Sequence, residues 1–236
     1  MKSDKPKRIM FAGASGTGKT TLANFISQVY GEGQIPFLSG SVSDLLPETK
    51  SMPHKDMLAR DSQTLEMEDF QILNLRKKLF QDKVNKDESF VSDRSFLDSA
   101  AYFLYKQADK LPQCEVETFL DLCLMCLNTQ CTHLFIVPYN MIMFKHWITE
   151  DNNKRILSRY FQMEISTIME MILKIWGFRK DGTIRSTSKG LFCSTEYEAG
   201  ISYGEISTPY GTTKVFILDE VNLNNREALI SYVLDK

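Results

Sequence analysis

Short apolar runs and helical stripes alternate along the chain. Ile9, Met10, Phe11 and Ala12 form an unbroken apolar run that suits a buried strand. Leu22, Phe25, Ile26 and Val29 then recur at helical spacing, predicting a helix over 18–30 that ends at Gly31. A second strand is expected at 35–39 (IPFLS), and a long amphipathic helix at about 62–85 through Phe70, Leu73, Phe80 and Val84. Residues 89–92 (SFVS) read as a third strand, followed by helices at 95–107 and about 115–129. A fourth strand at 132–137 (THLFIV) stops at Pro138. The long stripe Ile156, Tyr160, Ile168, Ile172 and Ile175 predicts a helix over about 154–176. A fifth strand at 214–218 (KVFIL) and a helix at 225–235 close the chain. Strands separated by helices imply right-handed crossovers and a parallel α/β sheet covered on both faces. Ligands then gather at the carboxyl ends of the strands. No repeat or linker interrupts residues 1–236, so one domain is expected.

Residues 178–214 break the pattern. They hold five of the 12 glycines, many serines and threonines, and the scattered aromatics Phe192, Tyr197, Tyr203 and Tyr210. A structureless loop of this length would be unusual, so a hairpin-like insertion is expected there. It serves either as decoration or a contact in a homodimer, or as a cover with aromatic faces for a base.

Composition narrows the partners little. A hydrophobic content of 43%, a charged content of 25% and a net charge of −2 are those of an ordinary globular protein. Nothing global demands nucleic acid. The polar start MKSDKPKR resembles neither a signal peptide nor an anchor, and no apolar stretch approaches a membrane span, so a cytoplasmic location is expected. Cys123, Cys126, Cys131 and His133 have metal-ligand types, but Cys123 and Cys126 lie i and i+3 on an apolar helix, where burial explains them.

The chemistry enters at residues 13–20. GASGTGKT matches the phosphate-cradling pattern GxxxxGK[ST] in full and sits between the first strand and helix. Gly13, Gly16 and Gly18 let the backbone aim successive N–H groups at one phosphate chain. The following helix adds its positive end. Gly13, Ala14, Ser15, Gly16, Thr17, Gly18, Lys19, Thr20 and Thr21 are the candidate contacts to a nucleoside triphosphate, ATP. Lys19 reaches the β- and γ-phosphates, and the Thr20 hydroxyl is a ligand for Mg²⁺. The third strand runs into Asp93-Arg94-Ser95 on the same edge. There Asp93 can hold Mg²⁺ or accept a proton, and Arg94 can fork onto a phosphate or a sugar oxygen. Ser95 and Asp98 fit a capping box.

The loop, the DRS sequence and EDNNKR at 150–155 together resemble the nucleoside and nucleotide kinases of the P-loop class, the ribosylnicotinamide-kinase-like and thymidylate-kinase-like branch above all. The resemblance spans residues 8 to about 177 and the last strand, and leaves out 178–214. It implies a three-layer fold with a five-stranded parallel sheet in the order 2-3-1-4-5, ATP and Mg²⁺ as cosubstrates, and an arginine-bearing lid at about 139–159. Arg155 and Arg159, at i and i+4, would neutralise the phosphoryl group in flight. Asp44, just past the second strand, is a second candidate for the general base, although SVSDLLPETK departs from the family pattern. Arg60, Asp61, Gln71 and Arg76 border the implied cleft, where a solvated helix face is the simpler reading.

Two rivals stand beside a free nucleoside or nucleotide acceptor. One is a kinase acting on hydroxymethylated pyrimidines within DNA, engaged through Lys2, Lys5, Lys7, Arg8 and Arg76-Lys77-Lys78. The other is an ATPase using VFILDE at 215–220 as a Walker B, with Asp219 for Mg²⁺ and Glu220 for water. Only 16 residues follow Glu220, and the kinase reading instead places Asn222–Asn225 near the adenine. The base-reading NKxD of GTPases is missed by NKDE at 85–88.

Overall fold

A computed structural model describes residues 5–30, 33–47, 62–139, 159–189, 196–218 and 226–235. The first strand, β1 (Arg8–Ala12), leads through the glycine-rich loop into α1 (Lys19–Phe25), which continues as a wider π turn over Ile26–Tyr30. β2 (Phe37–Leu38) and the short α2 (Val42–Leu45) follow. Then come α3 (Ser62–Asn85), β3 (Phe90–Ser92), α4 (Phe96–Gln107), α5 (Gln113–Gln130) and β4 (His133–Ile136). The chain ends with α6 (Arg159–Ile175), β5 (Arg179–Lys189), β6 (Glu196–Thr208), β7 (Gly211–Leu218) and α7 (Arg226–Leu234).

Among the described residues, seven strands form one sheet in the order β2-β3-β1-β4-β7-β6-β5. Its first five strands are parallel and follow the expected order 2-3-1-4-5, with β7 as the fifth. Apolar side chains leave both faces of these strands, as a doubly covered sheet requires. On one face Met10, Phe90, Leu134 and Val215 meet the α3–α6 helices through Phe80, Phe96, Phe119 and Ile172. On the other, Ile9, Phe11, Phe135 and Phe216 meet α1 and α7 through Leu22, Ile26 and Ile230. The result is three layers.

The five-strand expectation is corrected to seven. The segment expected to be an insertion pairs antiparallel with β7, from Ile201↔Leu218 to Thr208↔Gly211, and so extends the main sheet. β5 adds the outer edge, with a register shift between Lys180 and Gly182. Tyr203 and Ile201 point to the α1 side and Ile206 to the other, so apolar residues change face along the strand and blur the period-2 signal. Gly204 permits this join: a Cβ there would lie 1.9 Å from the Arg179 carbonyl oxygen. Beyond Ile201↔Leu218, five further β5–β6 pairs, Arg185↔Gly200 to Lys189↔Glu196, carry the ribbon past the carboxyl edge of β7. No helix among the described residues is long and apolar enough to cross a membrane.

Candidate active site

The phosphate loop is built by close backbone approach. Gly13 has φ 153°, and a Cβ there would meet the Val137 carbonyl oxygen at 2.3 Å, so β1 and β4 pass the loop with no room for a side chain. Gly18, at φ 89°, caps α1 in the left-handed region, where glycine has no steric cost. The Lys19 ammonium is buried and donates to the carbonyl oxygens of Gly13 and Ala14, each at 2.6 Å. It therefore lies along the inside of the loop. Thr17, also buried, ties its hydroxyl to the Ala14 carbonyl oxygen at 3.1 Å.

β3 delivers its chemistry to the same place. The Thr20 hydroxyl donates to Asp93 Oδ2 at 2.7 Å. Asp93 is 5% exposed, and its other oxygen, Oδ1, is buried without a hydrogen-bond partner. A buried carboxylate oxygen without a donor is costly unless a cation or donor arrives. Thr20 and Asp93 thus fit a divalent metal at the mouth of the loop. Among the described residues there is no group of three or more His, Cys, Asp or Glu side chains arranged to hold a metal ion. Cys123, Cys126 and Cys131 are free buried thiols.

The Arg94 guanidinium is half-buried beside these groups. Burial alone would lower its pKa, but Asp98, Tyr102 and Asp93 outweigh that and hold it above the ordinary arginine value. Ser95 and Asp98 form the expected capping box: the Ser95 hydroxyl accepts from the N–H groups of Leu97 and Asp98, and Asp98 Oδ2 accepts from Ser95 N–H at 2.9 Å. This fixes the start of α4 and hence the direction of Arg94.

Asp44 is placed differently. It is exposed, and its Oδ2 accepts from the hydroxyls of Ser39 at 2.5 Å and Ser41 at 2.7 Å. These bonds fasten the turn between β2 and α2. Arg155, Arg60, Asp61, Asp219, Glu220 and Asn222–Asn225 lie outside the described residues, as does most of the 139–159 segment. Arg159 opens α6. Gln71 is exposed on α3.

Arg76 corrects the solvated-face reading. It is 2% exposed and donates to the Gly40 carbonyl oxygen at 2.7 Å, the Ser95 carbonyl oxygen at 3.1 Å and the Ser99 hydroxyl. One buried guanidinium therefore pins the end of β2 to the start of α4. Burial pulls its pKa down to about 10, with Asp98 opposing and Arg94 assisting. A signal was available: Asp69, Leu73, Arg76 and Phe80 share the buried stripe of α3, so an arginine stood in an apolar column. Tyr102 was also passed over. Burial pushes its phenol up to about 12, with Arg94 opposing.

Fold and loop together define a phosphate-loop protein with the three-layer fold seen in P-loop kinases. The chain belongs to the AAA-domain family, whose model matches residues 8–180. Among solved structures it is similar to deoxyadenosine kinase from M. mycoides. With bound dATP, that structure gives a TM-score of 0.60 at 14% identity, covering 97% of this chain and 100% of that one. The same enzyme with products dCMP and a flexible dCDP gives 0.58 at 14% identity over 97% and 98%, and with bound dCTP 0.55 at 14% identity over 97% and 98%. At this identity the likeness is one of fold. A comparison with curated proteins finds no match.

Proposed function

We propose that this chain is an ATP-dependent kinase that transfers the γ-phosphate to a hydroxyl or phosphate of a free nucleoside or nucleotide. The observation that carries the reading is the Thr20–Asp93 hydrogen bond at 2.7 Å, with Arg94 beside it. It joins the donor loop to a strand end that bears both a carboxylate and a cation. The M. mycoides enzyme of like fold binds dATP and dCTP.

Lys19 leaves the Gly13 and Ala14 carbonyls and turns to the β- and γ-phosphate oxygens. Asp93 accepts the proton of the acceptor hydroxyl or holds the metal, with Asp44 the remaining candidate for the base. Arg94 neutralises charge developing on the phosphoryl group, with Arg155 and Arg159 assisting. Thr20 and Asp93 would hold Mg²⁺, which would supply neutralisation of phosphate charge when bound.

Two features favour a free acceptor over DNA. Arg76 is buried and committed to Gly40, Ser95 and Ser99, so it leaves the supposed basic patch. Arg8 is paired with Asp87 at 2.9 Å, and Lys7 donates to the Leu234 carbonyl oxygen. An ATPase centred on Asp219 is less well supported, because the Thr20 hydroxyl already engages Asp93. The test is γ-labelled ATP with a panel of nucleosides, nucleoside monophosphates and plain or hydroxymethylated DNA. Label on a free nucleoside or nucleotide is expected. Label on DNA alone, or phosphate release without any labelled acceptor, overturns the reading.

A further inference from the structure

Gly40 lies where the chain leaving β2 meets the chain leaving β3. It is buried, two residues past Leu38 and just before the turn into α2. A Cβ at this position would lie 2.9 Å from the Cβ of Arg94, 3.3 Å from Ser92 Oγ and 3.4 Å from Arg76 Nε. The backbone stands outside the left-handed region, so the missing side chain serves space and not conformation. Arg94 Cβ is fixed to its own backbone and cannot swing away as the tip of a long side chain would. Arg76 holds both sides of this contact. Its guanidinium donates to the Gly40 carbonyl oxygen at 2.7 Å and to the carbonyl oxygen of Ser95, the residue after Arg94, at 3.1 Å. The Arg94 N–H itself donates to Ser92 Oγ at 3.3 Å. On either side of Gly40, Ser39 and Ser41 hold Asp44 through their hydroxyls. The turn that carries Asp44 is thus seated on the root of Arg94 by one backbone contact and one buried cation.

We infer that Gly40 and Arg76 are a positioning pair that seats Arg94 against the acceptor-side turn Ser39–Asp44. Gly40 supplies the space and Arg76 the fixed distance. A planar guanidinium serves two carbonyls in set directions, which a single ammonium on a flexible stem does not. The far end of Arg94 is held more loosely, by one bond to the Asp93 carbonyl oxygen at 3.4 Å. A shift at the root therefore carries to the tip, and a misplacement of about 1 Å near reacting groups is enough to cost about 100-fold in rate. Both residues act through Arg94 and not on the reacting atoms. The consequence for catalysis rests on the kinase reading above; the contact itself does not.

The test compares the full chain as wild type with Gly40→Ala, Arg76→Lys and Arg94→Met. With γ-labelled ATP and whichever acceptor takes the label, Gly40→Ala should lower kcat roughly 30-fold while affinity for a non-hydrolysable ATP analogue stays within about twofold. Arg76→Lys should do the same. In the Arg94→Met background, adding Gly40→Ala should cost less than about threefold more, because the cation it positions is already gone. In the nucleotide-free protein, Gly40→Ala should shift the Arg94 Nε–H signal in nitrogen–proton correlation spectra, assigned by its loss in Arg94→Met. A kcat within about twofold of wild type in Gly40→Ala, an equal loss with and without Arg94, or an unmoved Arg94 signal overturns the pairing. If one of Gly40→Ala and Arg76→Lys fails to fold, the other decides alone. A wild type that labels no acceptor sinks the kinase reading, and the Arg94 signal still decides the contact.

Discussion

The two flanks of the sheet are built on opposite plans. On the β3 side, polar and charged groups are buried and interlocked: Thr20 on Asp93, Ser95 on Asp98, and Arg76 across Gly40, Ser95 and Ser99. On the β5–β6 side, the strands are joined by an antiparallel ladder, and Arg179, Lys180, Asp181 and Tyr210 are exposed. Buried polar networks cost stability unless every member is paired. Their charged members, Asp93, Asp98 and Arg76, lie on the β3 flank, whereas on the β7 side the buried Thr213 hydroxyl pairs with the neutral Asn128 at 2.8 Å. The other flank adds width to the sheet and a ribbon beyond its edge.

This contrast can be broken experimentally. Asp93→Asn should lower phosphoryl transfer roughly 1,000-fold while changing triphosphate affinity little, read by steady-state rates and nucleotide displacement. Should Asp219→Asn abolish turnover and Asp93→Asn spare it, the chemistry belongs to the β7 side. Gly204→Val forces a side chain into the Arg179 carbonyl and should destabilise the chain by about 3 kcal/mol or more in urea melts, with transfer per folded molecule preserved. A loss of transfer from the folded fraction would show that the antiparallel flank also serves the chemistry.

His133 offers a pH probe remote from the site. Burial, then Lys214 and Lys7, lower its pKa to about 4, and its ring stacks on Phe216 at 6.0 Å. The unfolded chain therefore binds this proton more tightly than the folded one. His133 costs no stability above its ordinary value of 6.5. Between there and about 4 stability falls as pH falls, by roughly 3 kcal/mol in all. His133→Gln should flatten that part of the pH–stability curve, and an unchanged slope would assign the acid loss to other groups. The smallest effect is expected for Ser95→Ala, about 1 kcal/mol from the lost cap. A much larger loss would mean that the hydroxyl also supports the Arg76 network.

Legibility followed the same divide. The parallel strands were readable because strands buried on both faces appear as plain apolar runs, as in Ile9–Ala12 and Leu134–Val137. The phosphate loop was readable because its glycines and lysine are local in sequence. For β5 and β6 the hairpin was legible but its place in the main sheet was not, because glycine, serine and a change of apolar face hide an antiparallel ladder whose partner is decided by β7. Arg76 was misread because spacing alone shows which residues share a stripe, and says nothing of the carbonyls waiting at Gly40 and Ser95.

The sequence by itself determined the glycine-rich phosphate loop, the alternation of the five parallel strands with helices, and the capped start of α4. Each rests on residues within a few positions of one another, where local geometry is decisive. Tertiary structure alone decided that Thr20 meets Asp93, 73 positions apart, that Arg76 is sealed inside, and that Tyr102 on α4 meets Phe161 on α6. Those contacts exist because the sheet lays β3 beside β1 and packs α6 on α4, and no spacing rule spans such distances along the chain.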